Sequence, residues 1–495
     1  MKKQIMISIA SGLFIMASAM TSFAANSNTG WANISDVWYY LDNSGSRVTN
    51  CWKPSGSNYY YLGDNGALVT NQLVEDGNKY YYVDASGAMV KNTWVAIPAD
   101  DSEEEDVAYR WYYFGNDGSA YHQTGSTVQK KKINSKEYAF DSDGKMLFGF
   151  VDESGSMVNT NDDPVMNSIY YFGTNDDGAM HTGWLEYTAG VDDSTYDDKS
   201  TLWFYYNTSS GKKVVDTTKT INGKKYAFDT NGAMISEWNV ATATQASIKY
   251  YSDDTNGSLV KNSWVYAIPG EDVNAEDHEN DEYRWFYTNS SGKAITNATK
   301  KINGKWYVFA EDGIMKTGLV SLSNNQVSNS HIVNVYKPED TTVDQVYGIS
   351  NLFYFSDNED DGAMKTGSNV KIELSDDTYT FGFNKNGSVY QGIKNSKLYK
   401  NGVLQTAKDE KYKIADDGNG NYYVVNISGA ILKAGKTGKD DSDCYFAVFG
   451  VTGDLTKIAK FSGDDASKAA SYWAKNGTMD GFDTVNKYDW TQIIG

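Results

Sequence analysis

Cysteine, proline and positive charge are what this chain has least of, and each shortage removes a class of protein. Cys51 and Cys444 are its two cysteines, too few for a disulfide framework. Five prolines exclude collagen-like and polyproline segments. Lys and Arg number 44 against 64 Asp and Glu, a formal charge of −20, which argues against nucleic acid as a partner. An acidic surface suits solubility and cationic ligands, and solvation alone accounts for most of it. Beyond the N-terminus no segment approaches the roughly 20 apolar residues of a transmembrane span. The four histidines, His122, His181, His278 and His331, stand alone among loop-like residues. No His-Glu-x-x-His, Gly-x-Ser-x-Gly or phosphate-binding glycine loop occurs. The expectation is a protein without catalytic residues, metal or cofactor. Aspartate-rich turns at Asp141–Gly144, Asn175–Gly178 and Asp360–Gly362 do not continue into a twelve-residue calcium loop ending in Glu, and Asp-Gly is ordinary hairpin-turn chemistry.

What the chain has is aromatic side chains, 38 Tyr, 13 Trp and 19 Phe beside 45 Gly, a composition that argues against disorder. The stretch 221–234, INGKKYAFDTNGAM, shows how they are used. Asn222-Gly223 is a two-residue turn signal, and Lys225 to Phe228 alternates like a strand. Asp229 to Gly232 is a second turn, and Ala233-Met234-Ile235 begins a return strand. The unit recurs at 133–146 and 302–315 and, more loosely, at 76–89. Isolated hairpins are marginal in water, so a chain made of them must stack them. The predicted fold is all-β, an elongated solenoid of stacked β-hairpin repeats with a small C-terminal α+β cap.

Aromatic clusters followed by turn residues run from about residue 30 to 430, and Gly45, Gly66 and Gly87 fall at intervals of 21. A larger duplication is superimposed. VKNTWVAIP (90–98) returns as VKNSWVYAIP (260–269), each followed by an acidic insertion, Asp100 to Asp106 and Glu271 to Glu282, and then by Tyr-Arg-Trp. Both insertions are expected to be exposed loops. Residues 1–24 read as a secretory signal: Lys2 and Lys3, a short apolar stretch from Ile5 to Ala19, and cleavage after Ala24. The repeat array is placed at 30–433. Within 434–495, strands are expected at 443–449 and 455–461 and a helix at 464–475 ended by Gly477, either capping the array or forming a small interaction module. Cys51 fills a small-residue slot before a Trp that Thr93 and Ser263 fill elsewhere.

The stretch from Tyr170-Tyr171-Phe172 through Gly178-Ala179-Met180-His181-Thr182-Gly183-Trp184 follows the pattern of an aromatic triplet, Asx-x-x-Gly, small residue, Met and Thr-Gly-Trp; Gly30-Trp31 leading to Trp38-Tyr39-Tyr40 follows it too. In these residues the chain resembles the cell-wall-binding (choline-binding-type) repeat proteins of Gram-positive bacteria. The INGKKYAF units also look like repeats of streptococcal glucan-binding domains and clostridial toxins. The resemblance covers about 400 residues.

That resemblance implies ligand held between consecutive hairpins, where two or three rings make an electron-rich cage for a quaternary ammonium. Strand alternation puts Trp38 with Tyr40, Trp111 with Tyr113, Trp203 with Tyr205 and Trp285 with Tyr287 on common faces. The implied ligand-binding residues are Trp38, Trp111, Tyr113, Trp203, Tyr205, Trp285 and Tyr287 together with return-strand Trp52, Trp94, Trp184 and Trp264 and with Tyr61; Trp238 is a further return-strand candidate to close a cage. Trp38, Trp52 and Tyr61 are expected to form one site. Asn-Thr-Trp, Asn-Ser-Trp and Ser-Glu-Trp replace Thr-Gly-Trp in several units, and any of these rings can equally be hairpin core. The implied function is non-catalytic: a secreted protein associated with the cell surface or wall, binding wall teichoic acid or glycan. The alternatives are a glucan or host-glycan binder and a structural surface component.

Overall fold

The computed structural model describes residues 29–99, 107–158, 167–188, 196, 201–240, 247–356, 361–450, 456–482 and 487–494. The signal-like N-terminus, the acidic insertion 100–106 and Asp360 lie outside them. The chain forms two compact units, 1–235 and 236–495.

Both units are built from antiparallel hairpins, and the INGK stretch explains why. Thr217–Ile221 pairs with Lys224–Phe228, and Ile221 opposite Lys224 closes the turn. Asn222 (φ 48°) and Gly223 (φ 80°) are both left-handed, as the tightest hairpin turn requires. Beyond the second strand, Asp229 Oδ1 accepts from the backbone N–H groups of Asn231 and Ala233 at 2.9 and 2.8 Å. Met234 then bridges back to Phe228. The aspartates of Asp-x-x-Gly are therefore turn caps. Asp141 does the same for Asp143 and Lys145, and Asp177 and Asp361 are paired with Lys136 and with Lys305 and Lys365. Successive hairpins meet closely: a Cβ on Gly211 would lie 2.2 Å from Met180 Sδ, so glycine seats on the preceding unit's methionine.

In unit 1, hairpins Gly30–Ile34/Val37–Leu41, Cys51–Ser55/Asn58–Leu62, Gln72–Asp76/Lys79–Val83 and Thr93–Pro98/Tyr109–Phe114 follow one another. In unit 2 the chain departs from simple hairpins. Gly318–Leu322 lies between Ile332–Tyr336 and Leu352–Phe355, and five strands between 367 and 404 share one sheet. The insertion after Leu322 supplies its own strand because Ile332, Val333, Val335 and Tyr336 have β-formers' side chains. The second acidic insertion is exposed, as expected, yet it is not all loop: Ala275–Glu279 is a short helix capped by Asn274 Oδ1, which accepts from Asp277 N at 3.0 Å.

The C-terminal residues form a four-stranded antiparallel sheet, Lys436–Lys439, Tyr445–Phe449, Lys457–Ser462 and Asp489–Ile494, with the helix Ala466–Asn476. Gly477 ends the helix at φ 72°. Small residues, Ala447, Ala459, Ala466, Ala469 and Ala470, let the helix lie close to one sheet face around Trp473. The other face, with Phe446, Val448 and Ile458, packs on Tyr412, Ile414 and Val424 of the Tyr412–Asp416/Tyr422–Asn426 hairpin. The first and last strands of this sheet carry little sequence signal: Lys-Thr-Gly-Lys is polar, and Asp489–Ile494 is an exposed edge.

Candidate functional site

Each simple hairpin presents two faces, and their contents differ. In Cys51–Ser55/Asn58–Leu62, Trp52 pairs with Tyr61 on one face, and Lys53 pairs with Tyr60 on the other. The Trp face meets the hairpin that follows: Trp52 lies 5.0 Å from Tyr61 and 5.2 Å from Tyr81, both edge-to-face. The same three-ring cluster recurs. Trp31 meets Tyr40 and Tyr60 at 5.4 and 5.5 Å. Trp94 meets Tyr113 and Tyr138 at 5.2 and 4.9 Å. Trp184 meets Tyr205 and Tyr226 at 5.2 and 4.9 Å. Trp238 meets Tyr250 and Phe286 at 4.9 and 4.4 Å, and Trp264 meets Tyr287 and Tyr307 at 5.2 and 4.8 Å. Each ring pair adds about 0.5–1.5 kcal/mol beyond its buried area.

Of the residues singled out by sequence, the structure joins Trp52 with Tyr61, Trp94 with Tyr113, Trp184 with Tyr205 and Trp264 with Tyr287. Trp203 and Trp285 flank two of these clusters, 6.4 Å from Trp184 and 6.0 Å from Trp264, each near perpendicular. Trp111, like Trp94 and Tyr113, packs against the buried group of Ile133, Tyr138, Phe140 and Met146. Trp38 is not brought to Trp52. It lies opposite Asn33 near the turn of its hairpin, and the third ring at Trp52 is Tyr81. Trp52, Trp94, Trp184, Trp238 and Trp264 are on the first strand of a new hairpin, not on a return strand, so they pair with their own hairpin's tyrosine. The rings that sequence reasoning missed, Trp31, Tyr60, Tyr81, Tyr138, Tyr226, Tyr250, Phe286 and Tyr307, include the middle residues of aromatic triplets. Period-two alternation carries that signal: the middle residue must face the preceding hairpin.

Rings 4.8–5.2 Å apart edge-to-face already touch, so a quaternary ammonium does not fit between them; it has the outer ring faces, within about 6 Å of a centroid. The tryptophans named above are half-buried and keep part of their surface in solvent. Polar groups stand at the rims. Trp52 Nε1 donates to Asp76 Oδ2 at 3.2 Å, and Trp31 Nε1 to the Pro54 carbonyl at 3.2 Å. Burial first, and the Asp76 carboxylate second, raise the Tyr61 phenol. Several ring faces already carry a basic side chain, with Lys53 Nζ 5.1 Å from the Tyr40 centroid and Lys219 Nζ 5.8 Å from that of Tyr205.

Away from the clusters, an open polar cleft of about 540 Å³ is lined by Lys132, Lys136, Glu137, Asp177, His181 and Thr182 and crossed by the Lys136–Asp177 pair at 2.9 Å. His122, His181 and His278 each bring a ring nitrogen to a backbone carbonyl, of Ala120, Trp184 and Pro269. Among the described residues no group of three His, Cys, Asp or Glu side chains is arranged to hold a metal ion. Cys51 and Cys444 carry free thiols. No described helix is long and apolar enough to cross a membrane.

Comparison with known proteins places these hairpins. The "Choline-binding repeat" model matches residues 28–73, and the "Putative cell wall binding repeat" model matches 71–89, 110–120 and 300–315. Glucosyltransferase-I of Streptococcus downei is 27% identical over 344 residues, 66% of this chain and 18% of the relative. Glucosyltransferase-S of Streptococcus mutans serotype c is 26% identical over 342 residues, 64% of this chain and 20% of the relative. The match thus spans about a fifth of these curated relatives. Among solved structures, CbpJ from Streptococcus pneumoniae is 19% identical, with a TM-score of 0.39 over 69% of this chain and 99% of that one. Choline binding protein F from the same species, solved in the presence of a peptidoglycan analogue, is 19% identical, with a TM-score of 0.34 over 74% and 100%. The hairpins within residues 28–89, 110–120 and 300–315 thus match repeats of the choline-binding, cell-wall-binding type.

Proposed function

We propose that this chain is a non-catalytic, exported protein that adheres non-covalently to the Gram-positive cell wall through its inter-hairpin aromatic clusters. Wall teichoic acid or wall glycan is the polymer held, and a quaternary ammonium substituent is the group recognised. Residues 1–24 act as the secretion signal, 30–433 as the binding array and 434–495 as the segment that closes its last apolar face. The observation that carries the reading is the recurrence of one Trp-centred cluster, six times over, with the tryptophan half-buried in each while its partner rings are buried or half-buried. A core that needed only burial has no use for repeated indoles at the surface, whereas cation recognition does.

The second reading is an extracellular glucan binder, favoured by the two glucosyltransferase matches. Co-sedimentation of the exported chain with purified choline-bearing walls and, separately, with insoluble α-glucan distinguishes them. The wall reading predicts retention on walls and little on glucan. Retention on glucan alone favours the second reading, and retention on neither leaves a structural surface component.

A further inference from the structure

The residue opposite the middle ring of each hairpin decides what lies over the preceding cluster. That position is Lys53 opposite Tyr60, Val74 opposite Tyr81, Lys131 opposite Tyr138, Lys219 opposite Tyr226, Val265 opposite Phe286 and Lys300 opposite Tyr307. Because it shares a face with the middle ring, this position faces the hairpin before, and in two hairpins its lysine reaches the tyrosine of the preceding Trp–Tyr pair. Lys53 reaches the Tyr40 face of the Trp31 cluster at 5.1 Å, and Lys219 reaches the Tyr205 face of the Trp184 cluster at 5.8 Å. Lys131 lies 5.6 Å from Tyr121, a ring 5.2 Å from Tyr113 in the Trp94 cluster. All three lysines are half-buried, whereas Lys300 is exposed.

We infer that Lys53 and Lys219 are built-in cations that occupy the ring faces on which a quaternary ammonium would otherwise dock, so that a free cationic ligand is taken instead at Tyr61 in the Trp52 cluster. This inference rests on the proposed wall-binding function; Tyr61 is distinguished from the Trp264 cluster, where exposed Lys300 stands at the same position, by a valine in place of the lysine and by the carboxylate bonded to its tryptophan. Tyr61 holds the place of Tyr40 and Tyr205 in its hairpin, each opposite the cluster's tryptophan. The position that supplies the lysine elsewhere is Val74, buried and too short to reach. Among the described residues no basic side chain lies over Tyr61. A carboxylate is close by instead, Asp76, which accepts from Trp52 Nε1. Rings without a resident cation, beside a negative charge, attract an external one. The Trp238 cluster also has a valine at this position, Val265, but it is roofed: Trp238 Nε1 donates to the Ile268 carbonyl at 2.6 Å, and a Cβ on Gly270 would lie 3.1 Å from Trp238 Cβ.

Two measurements on the full exported chain test this. Lysines dimethylated with ¹³C report ring currents, and the Lys53 and Lys219 methyl protons should resonate upfield of those of exposed Lys301. Resonances indistinguishable from Lys301 overturn the inference whether or not the protein binds choline. Equilibrium dialysis with labelled choline then compares the parent with Lys53→Met/Lys219→Met and with Lys301→Met as the charge control. The double variant should take up two more cholines per chain at saturation, the control none, and Asp76→Asn should weaken binding by the parent severalfold. No added sites in the double variant, or equal gain in the control, overturns the inference. Choline bound by neither protein while wall retention persists overturns it alone, and loss of wall retention as well overturns the wall-binding reading with it.

Discussion

The hairpins around Trp94 and Trp264 come from the duplicated sequence block, one in each unit, and they carry the same cluster. Their Trp–Tyr pairs are 5.2 Å apart in both, and the ring from the following hairpin sits at 4.9 and 4.8 Å. The surroundings differ. Ala96 lies opposite Trp111, whereas Tyr266 lies opposite Trp285 and extends a ladder of rings, 4.7 Å from Trp285 and 5.3 Å from Tyr283. Arg110 is buried over the Phe148 ring, while Arg284 is partly exposed and paired with Asp277 and Glu282. The cluster is thus conserved between the copies as a packing unit, and the edges around it are where they diverge. Packing tolerates little change, because each tryptophan touches two hairpins; an exposed edge tolerates a tyrosine or an alanine.

The comparison can be broken at its centre. Trp94→Ala and Trp264→Ala should each destabilise their unit by about 3 kcal/mol, the lower end for removing a large aromatic because both are half-buried. Urea unfolding followed by tyrosine fluorescence checks it; a loss under 1 kcal/mol in either copy contradicts the equivalence. A third Trp-bearing hairpin sharpens the contrast. The bridge position holding Ala120 and Ala294 in the two copies holds Lys213 after Tyr206. Burial lowers the Lys213 ammonium to about 8, opposed by the Asp229 carboxylate. Its folded value lies below the unfolded one, so the folded state bears the burial of the charge in full below pH 8 and is relieved as pH rises toward 10.5. Lys213→Met should therefore be the more stable protein at pH 7, by at most about 3 kcal/mol. That gap should narrow by pH 10 in parallel thermal melts, and a constant gap would show that burial does not perturb the lysine.

At the edges the expected effects are smaller. Tyr266→Ala should cost about 1 kcal/mol and make the Trp264 hairpin resemble the Trp94 one. Chemical denaturation of the two variants should then agree more closely than that of the parent copies. The exposed inter-hairpin pairs Lys136–Asp177 and Lys305–Asp361, at 2.9 and 3.2 Å, should each contribute under 1 kcal/mol. Lys136→Gln and Lys305→Gln should lower the midpoint of thermal unfolding slightly, and less so in high salt.

Local structure was legible in the sequence because it is locally determined. Asn222-Gly223, Asn303-Gly304 and Asp229 to Gly232 specify their turns by backbone chemistry, and alternation assigns Trp203 and Tyr205 to one face. The identity of the third ring was not legible. Whether Trp52 meets Trp38 or Tyr81 depends on how one hairpin lies on the next, which no single strand encodes. The sheet between 367 and 404 was hidden for the same reason, since Phe381 opposite Val403 is a pairing made between hairpins. The occupied ring faces were out of reach too: Lys53 and Lys219 read as ordinary polar strand residues until the register set them opposite Tyr60 and Tyr226.

The central claim is that the solvent faces of these clusters bind the cell wall. It is tested most directly by the fraction of residues 25–495 retained on purified Gram-positive walls, measured with and without millimolar choline, for the parent and for Asp76→Asn. The account predicts retention that free choline releases and that the variant weakens while its unfolding curve is unchanged. Retention indifferent to both choline and the variant would contradict it.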